Sequence, residues 1–361
     1  MKRFARPNIA EMQGYSPGEQ LQDQNTVKLN TNENPHPPSP AVEAALAAVD
    51  TAKLRTYPQP TADHLRDAVA EHHALARDNV VMTHGGDEAL RLAITTFIAQ
   101  DQAFGMAEPS YSLYPVLAQI HDAPVIRVPL DDQWAMPAST AETLNSAGAA
   151  LTCIVNPHAP SGKLISTQQL SVLARQLDGL LLIDEAYADF VEPKMNYNSS
   201  QLIKEHDNVL ILRTFSKGYS LAGLRLGYLL GPAALIDPIL RKTRDSYNID
   251  YLSQQLGAAA LLDQDYAAST WADVRTQRKR LMMRLQELGF TAPDSQANFL
   301  LATMPSSTPM SARELYLYLK EHQILVRFFD TPRLQNKLRI SIGTAQQNDR
   351  LIDALVAVLP N

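Results

Sequence analysis

From Asn79 onward, short apolar runs alternate with amphipathic stretches. "NVVMT" (79–83) precedes "DEALRLAITTFIA" (87–99), "LTCIV" (151–155) precedes "TQQLSVLARQL" (167–177), and "GLLLID" (179–184) leads on to "NVLILRT" (208–214). The alternation predicts an α/β fold, a mainly parallel sheet flanked by helices, because each parallel crossover needs a helix to return the chain. Ligands of such sheets sit beyond the carboxyl ends of the strands. The last third has a different pattern. Helical spacing over 263–288 and 311–322 surrounds the short runs "NFLLAT", "ILVRFF" and "LRISIG", which predicts a smaller α+β domain. "NENPHPPSP" (32–40) packs four prolines into an extended connector, with Ser39 placed to cap a helix that begins at Pro40. The predicted division is a large domain over 36–245, and a second unit made of 1–35 and 246–361.

Composition narrows the class of ligand. The chain has 361 residues, 45% of them apolar, enough to bury a full core, and a formal net charge of -6 with scattered basic residues. A small molecule is therefore expected as ligand, rather than nucleic acid or an anionic membrane. One cysteine, Cys153, excludes an intrachain disulfide. "MKRFARPNIAEM" lacks the apolar core of a signal peptide, and no apolar run reaches membrane-spanning length, so a cytoplasmic location is expected.

The residues that stand out follow these apolar runs. In "RTFSKGYSLAGLRLGY" (213–228), Lys217 lies just past a buried strand, with Thr214, Ser216 and Arg225 nearby in sequence. A lysine there can snorkel to water. Alternatively, hydroxyls and a guanidinium hold a phosphate beside an amine whose pKa is lowered, and the neutral amine can form a Schiff base. In "THGGDEAL" (83–90), the amides of Gly86, Asp87 and Glu88 open a helix, which is either an ordinary Gly-rich turn or an anion site. Asp184 ends an apolar strand and needs a cap, a salt bridge or a cationic ring nitrogen as partner, with Tyr187 three residues on. Tyr111 in "EPSYSLYP" packs in the core or stacks on a ring.

Together these motifs resemble the fold type I pyridoxal-phosphate (PLP) aminotransferases of the class II subfamily, and more narrowly the histidinol-phosphate aminotransferase family. The likeness runs through "KLNTNENPHPPSP", "RTYPQP", "GGDEAL", "PSYSLYP", "NPHAPSG", "DEAY", "RTFSKGYSLAGLRLGY" and "LRISIGT". The resemblance implies that Lys217 holds PLP as a Schiff base and moves the substrate proton. Asp184 keeps the ring nitrogen protonated, and Tyr187 donates to the ring phenolate. Tyr111 covers the ring, while Gly86, Asp87, Glu88, Thr214, Ser216 and Arg225 surround the cofactor and its phosphate. Tyr57 in "RTYPQP" matches a tyrosine that reaches the other subunit's site, which implies a homodimer with shared active sites. Arg339 matches an arginine that takes a carboxylate or a phosphate in turn. Arg327, Tyr15 and Asn32 complete the implied substrate contacts, and no metal is implied. Ala159 departs from the pattern: many relatives carry an asparagine there that bonds the phenolate, so either Tyr187 acts alone or Asn156 or His158 reaches in.

The activity implied is transfer of an amino group between L-histidinol phosphate and 2-oxoglutarate in histidine biosynthesis. Threonine-phosphate decarboxylation and aromatic or broad-specificity transamination use the same fold and stay open at this point. A non-catalytic sensor is disfavoured because no basic helix-turn-helix pattern precedes the fold. "HGGDE" lacks the glycine spacing of a dinucleotide-binding oxidoreductase.

Overall fold

The computed structural model describes residues 4–20, 25–308 and 310–359. Among these, the strands in chain order are β1 (Val27–Lys28), β2 (Val80–Thr83), β3 (Ala103–Glu108), β4 (Val125–Pro129), β5 (Ala149–Val155), β6 (Leu180–Asp184), β7 (Val209–Thr214), β8 (Gly227–Leu230), β9 (Phe299–Thr303), β10 (Ile324–Leu325), β11 (Arg327–Phe328) and β12 (Lys337–Ser341). The large sheet has seven strands in the order β2-β8-β7-β6-β5-β3-β4. It is parallel from β7 to β4, and β8 alone runs against its neighbours β2 and β7. β8 is reversed because the chain leaving β7 returns directly, without a helical crossover. Arg225 takes a left-handed φ of 55° in this return, and the Phe215 amide donates to the Leu226 carbonyl.

The central strands are apolar on both faces because helices cover both. Leu181, Leu182 and Ile183 of β6 and Val209 and Leu210 of β7 are each 0% exposed. Burial of side chains of this size contributes about 1.5–3 kcal/mol each. Pairing aligns the strand ends: Val155 lies opposite Asp184, Asp184 opposite Leu212, and Thr214 and Thr83 both opposite Gly227. The loops that carry the predicted chemistry therefore leave one edge of one sheet.

The C-terminal part holds the antiparallel sheet β11-β12-β9 with helices Gln264–Glu287, Ala312–Glu321 and Ala345–Val358. The helix at Ala312 begins with a capping box in which Ser311 and Glu314 satisfy each other's backbone amides. The N-terminal segment joins this part of the chain. β1 pairs in parallel with β10, the Ser341 amide donates to the Leu29 carbonyl, and the Asn298 side chain donates to the Asn32 carbonyl. Two details differ from expectation. Helix Tyr251–Leu262, beyond the predicted boundary at 245/246, buries Leu256, Ala260 and Leu261 in the same cluster as Leu65, Leu226 and Ile211 of the large sheet's surroundings. Ser39 precedes helix Pro40–Ala47 as predicted, but its hydroxyl makes no cap bond and is buried without a partner. Among the described residues, no helix is long and apolar enough to cross a membrane.

Candidate active site

A cavity of about 770 Å³ opens at the strand-end edge. Gly86, Asp87, Tyr111, Asp184, Tyr187, Thr214, Ser216, Lys217 and Arg225 all reach it, joined from the N-terminal segment by Tyr15 and Asn32 and from the small sheet by Arg327 and Arg339. Residues far apart in sequence thus meet at one place because parallel strands end there together.

Lys217 is held by the backbone that follows it. The following carbonyl, that of Gly218, accepts from the Trp271 indole at 2.7 Å and the Asn34 side chain at 3.1 Å. No larger residue fits at 218, since a Cβ there would overlap the Asp189 carboxylate. The Lys217 amine donates to the Thr31 carbonyl at 2.8 Å. Burial lowers its pKa to about 8, opposed by Glu33 and reinforced by Arg339, Arg225 and Lys28. A substantial fraction of the amine is therefore neutral and nucleophilic near pH 8.

Asp184 stands at the end of β6. Its Oδ2 accepts from the Tyr114 hydroxyl at 2.6 Å and its Oδ1 from the Ala186 amide at 3.1 Å. Burial raises its pKa to about 6, and the Tyr114 and Ala186 donors resist the rise. Behind it, Glu185 and Asp189 pair with the buried Arg213, and Glu185 also accepts from the Tyr197 hydroxyl. This network ties the ends of β6 and β7 beneath the site.

Helix Gly85–Phe97 begins at the cavity, so the amides of Gly86 and Asp87 lie in the first turn, where no intrahelical acceptor exists. Gly85 has φ +77°, and a Cβ there would come within 2.7 Å of the Arg225 guanidinium. Arg225 lies 3.4 Å from the Ser216 hydroxyl and 3.3 Å from the Asp87 carboxylate, and Thr214 donates to the Ser216 hydroxyl at 2.9 Å. Asp87 thus directs its charge at Arg225. Glu88, beside Asp87 in sequence, does not line the cavity. Its carboxylate turns back to accept from the His84 amide and from the Asn248 side chain at 2.9 Å. Spacing alone could not separate these neighbours, which face opposite ways on the first helical turn.

Asn32 lines the cavity and is also tied to Tyr187 and Ser341. Its side-chain nitrogen donates to the Tyr187 hydroxyl at 3.1 Å, its backbone amide donates to the Ser341 hydroxyl at 2.9 Å, and that hydroxyl donates to Asn32 Oδ1 at 3.0 Å. With Asn32 donating to its oxygen, the Tyr187 hydroxyl is left to donate its own proton into the cavity. The question raised by Ala159 has a geometric answer. Ala159 lines the cavity, but Asn156 is engaged by Ile165 and Tyr197, and His158 by Ser161 and the Pro109 carbonyl. Of the three candidate donors Tyr187, Asn156 and His158, Tyr187 alone lines the cavity.

Arg327 and Arg339 are cross-strand partners on β11 and β12. The Arg339 guanidinium donates to the Asn30 carbonyl at 2.9 Å, and its Nε is buried with no partner. Phe299 and Phe329 lie against it, with ring centroids 5.4 and 5.5 Å away. Tyr15 meets Tyr111 edge-on at 5.8 Å. Tyr57 is 80% exposed, stacks on Tyr247 at 4.4 Å and does not line this chain's own cavity. Sequence reasoning missed Tyr114, Trp271 and Asn34, and also Ser110, which lines the cavity with a buried, unpartnered hydroxyl. Only Ser110 carried a signal, as a polar group in the loop after β3.

The donor set suits PLP. Asp184 is a buried carboxylate whose two protein donors leave it without a cation, Lys217 is an amine readily made neutral, and the Gly86 and Asp87 amides with Ser216 and Arg225 form an anion cradle.

Comparison with known proteins agrees with this geometry. The aminotransferase class I and II family matches residues 24–355. A histidinol-phosphate aminotransferase of Microcystis aeruginosa is 40% identical over 354 residues, 98% of each chain. Histidinol-phosphate aminotransferase 1 of Trichormus variabilis is 40% identical over 356 residues, 98% of this chain and 99% of the other. A crystal structure of histidinol-phosphate aminotransferase from Sinorhizobium meliloti in complex with pyridoxal-5'-phosphate superposes with a TM-score of 0.89 at 23% identity, covering 99% of this chain and 98% of that one, which speaks to the fold. Strand-end chemistry, fold and full-length sequence likeness agree, and the chain belongs to the class I and II aminotransferases, alongside the histidinol-phosphate aminotransferases.

Proposed function

We propose that the site transfers the amino group of L-histidinol phosphate to 2-oxoglutarate, with PLP bound between Asp184, Tyr187 and Lys217. When bound, PLP supplies an electron sink for the charge that develops at the substrate carbon. The chain's own residues do the rest. The Lys217 amine would attach the cofactor and, once freed, would carry the substrate proton. Asp184 would face the ring nitrogen, the Tyr187 hydroxyl would donate to the ring phenolate, and Tyr111 would cover the ring. Gly86, Asp87, Thr214, Ser216 and Arg225 would hold the cofactor phosphate. Glu88 supports that cradle by closing the helix start rather than by contact. Asn32 acts by orienting Tyr187.

The observation that carries the substrate reading is the arginine pair. Arg327 and Arg339 are directly opposed like charges at the cavity wall, and Arg339 is buried with an unpartnered Nε. An anion between or beside such a pair relieves the repulsion, and a planar fork binds a phosphate or a carboxylate bidentately. One site can then serve a phosphorylated amine and a dicarboxylate in turn, with Tyr15 over the entrance. Arg339→Lys is expected to raise the KM for both L-histidinol phosphate and 2-oxoglutarate by roughly 10- to 100-fold, the equivalent of one charge-assisted hydrogen bond. A rise for one substrate alone, in steady-state assays of glutamate formation, would assign the other anion elsewhere.

We propose a cytoplasmic homodimer for the working enzyme. The support is the pair Tyr57 and Tyr247, exposed yet stacked, with Leu54 (54% exposed) close by in sequence. Tyr57 would then serve the partner's site. Mixing Tyr57→Ala with Lys217→Ala subunits should restore activity to about a quarter of the wild-type level, because half of the subunits sit in mixed dimers and half of their sites are intact. No recovery after subunit exchange would show that Tyr57 does not act across the interface.

A further inference from the structure

Tyr114 lies in the first turn of helix Leu113–Ile120 and is 0% exposed. Its ring is fixed edge-on against Tyr111 at 5.5 Å and tilted against Phe104 at 6.3 Å. That packing aims the hydroxyl at Asp184 Oδ2, 2.6 Å away. Burial pushes the Tyr114 hydroxyl well above its usual pKa, so it keeps its proton and is a donor at every working pH. The other groups around Asp184 do not replace it. The Ala186 amide serves the opposite carboxylate oxygen, Cys153 is a buried thiol that contacts Tyr114, and Asp87 and Glu185 are acidic.

We infer that Tyr114 is a positioning residue that keeps Asp184 ionised and aimed into the cavity, so that the proton shared with the cofactor's ring nitrogen stays on the ring. The inference rests on the PLP reading above. A hydrogen bond to a carboxylate favours its charged form. Without it, Asp184 would be a stronger base, and the proton it would share with the ring nitrogen would sit more on the carboxylate, leaving less positive charge on the ring to draw electrons. Tyr114 touches neither substrate nor cofactor in this account. It acts through one oxygen of Asp184.

Tyr114→Phe keeps the ring and removes only the hydroxyl. In cofactor-free protein, the Asp184 carboxyl followed by carbon-13 NMR, with Asp184→Asn to identify its signal, should titrate roughly 1 to 2 pH units above the wild-type midpoint. In protein loaded with nitrogen-15 PLP, the ring-nitrogen signal should move toward the unprotonated position, and kcat should fall with little change in KM. Cys153→Ala perturbs the packing at the same place and should leave both signals where they are. An unchanged Asp184 midpoint in Tyr114→Phe, or an equal shift in Cys153→Ala, overturns the role of Tyr114 even if activity falls. Failure of the wild-type protein to bind PLP would instead overturn the cofactor reading, and with it the ring-nitrogen part of this inference.

Discussion

Replacing Lys217 by alanine is expected to lower the rate of transamination by at least about 10,000-fold, the upper range for loss of a single positioned proton carrier. The same amine also attaches the cofactor, so the two losses fall on one residue. Folding should survive the change. Lys217 is a buried amine whose pKa is depressed to about 8, so at neutral pH the folded state carries the cost of its charge. The sign is that of a base with a lowered pKa: the folded protein binds fewer protons than the unfolded chain between about 8 and the ordinary lysine value of 10.5, and stability from this group rises with pH across that window. Lys217→Ala should abolish this dependence in urea titrations and retain the wild-type circular dichroism. The rate at which cofactor-free wild-type protein takes up PLP should rise with pH through a midpoint near 8. A rate independent of pH between 7 and 9 would contradict the neutral-amine argument.

Asp184→Asn carries the second large effect, and it moves activity and stability in opposite directions. Asparagine cannot hold a proton on the ring nitrogen by charge. Breaking a buried pair of this kind costs about 3–5 kcal/mol, or roughly 100- to 10,000-fold in rate. Stability of the cofactor-free protein responds the other way. The Asp184 pKa is raised from 3.8 to about 6 by burial, so the folded state binds more protons than the unfolded chain in that window, and stability falls as pH rises through it. The total is about 3 kcal/mol, which the neutral asparagine should recover at pH 7. Urea denaturation of cofactor-free wild type and variant at pH 4 and pH 7 measures it. Equal stabilities at pH 7 would mean that Asp184 finds a partner without the cofactor.

The residues legible from sequence alone are those where a strand ends abruptly. Asp184, Thr214, Ser216 and Lys217 each follow a run apolar enough to be buried on both faces, and a polar group there has to be explained by chemistry or by a cap. Tyr114, Trp271 and Asn34 left no such trace, since their contacts with Asp184 and Gly218 bridge 70, 53 and 184 positions. A tyrosine at helical spacing looks like core until its hydroxyl is seen to point at a carboxylate. Glu88 was drawn toward the ligand by its company in a motif. In the fold it is a supporting group one contact removed, because neighbours on a helix start face different ways. The reversed strand β8 was hidden for a similar reason. Gly227–Leu230 is short, and the direction of a strand depends on the loop before it. The helix at Tyr251 stays with the large domain because its apolar positions pack against helices Pro40–Ala47 and Asp63–His72.

Single-turnover absorption of the bound cofactor shows whether one lysine and one arginine pair serve two unlike amino-group carriers. PLP-loaded protein is mixed with L-histidinol phosphate alone, then with glutamate alone, and each reaction is followed by 2-oxoglutarate. Either amine is expected to remove the cofactor's visible absorption and 2-oxoglutarate to restore it, with both steps lost in Lys217→Ala. Conversion by glutamate but not by L-histidinol phosphate would contradict the substrate reading while leaving the aminotransferase chemistry in place.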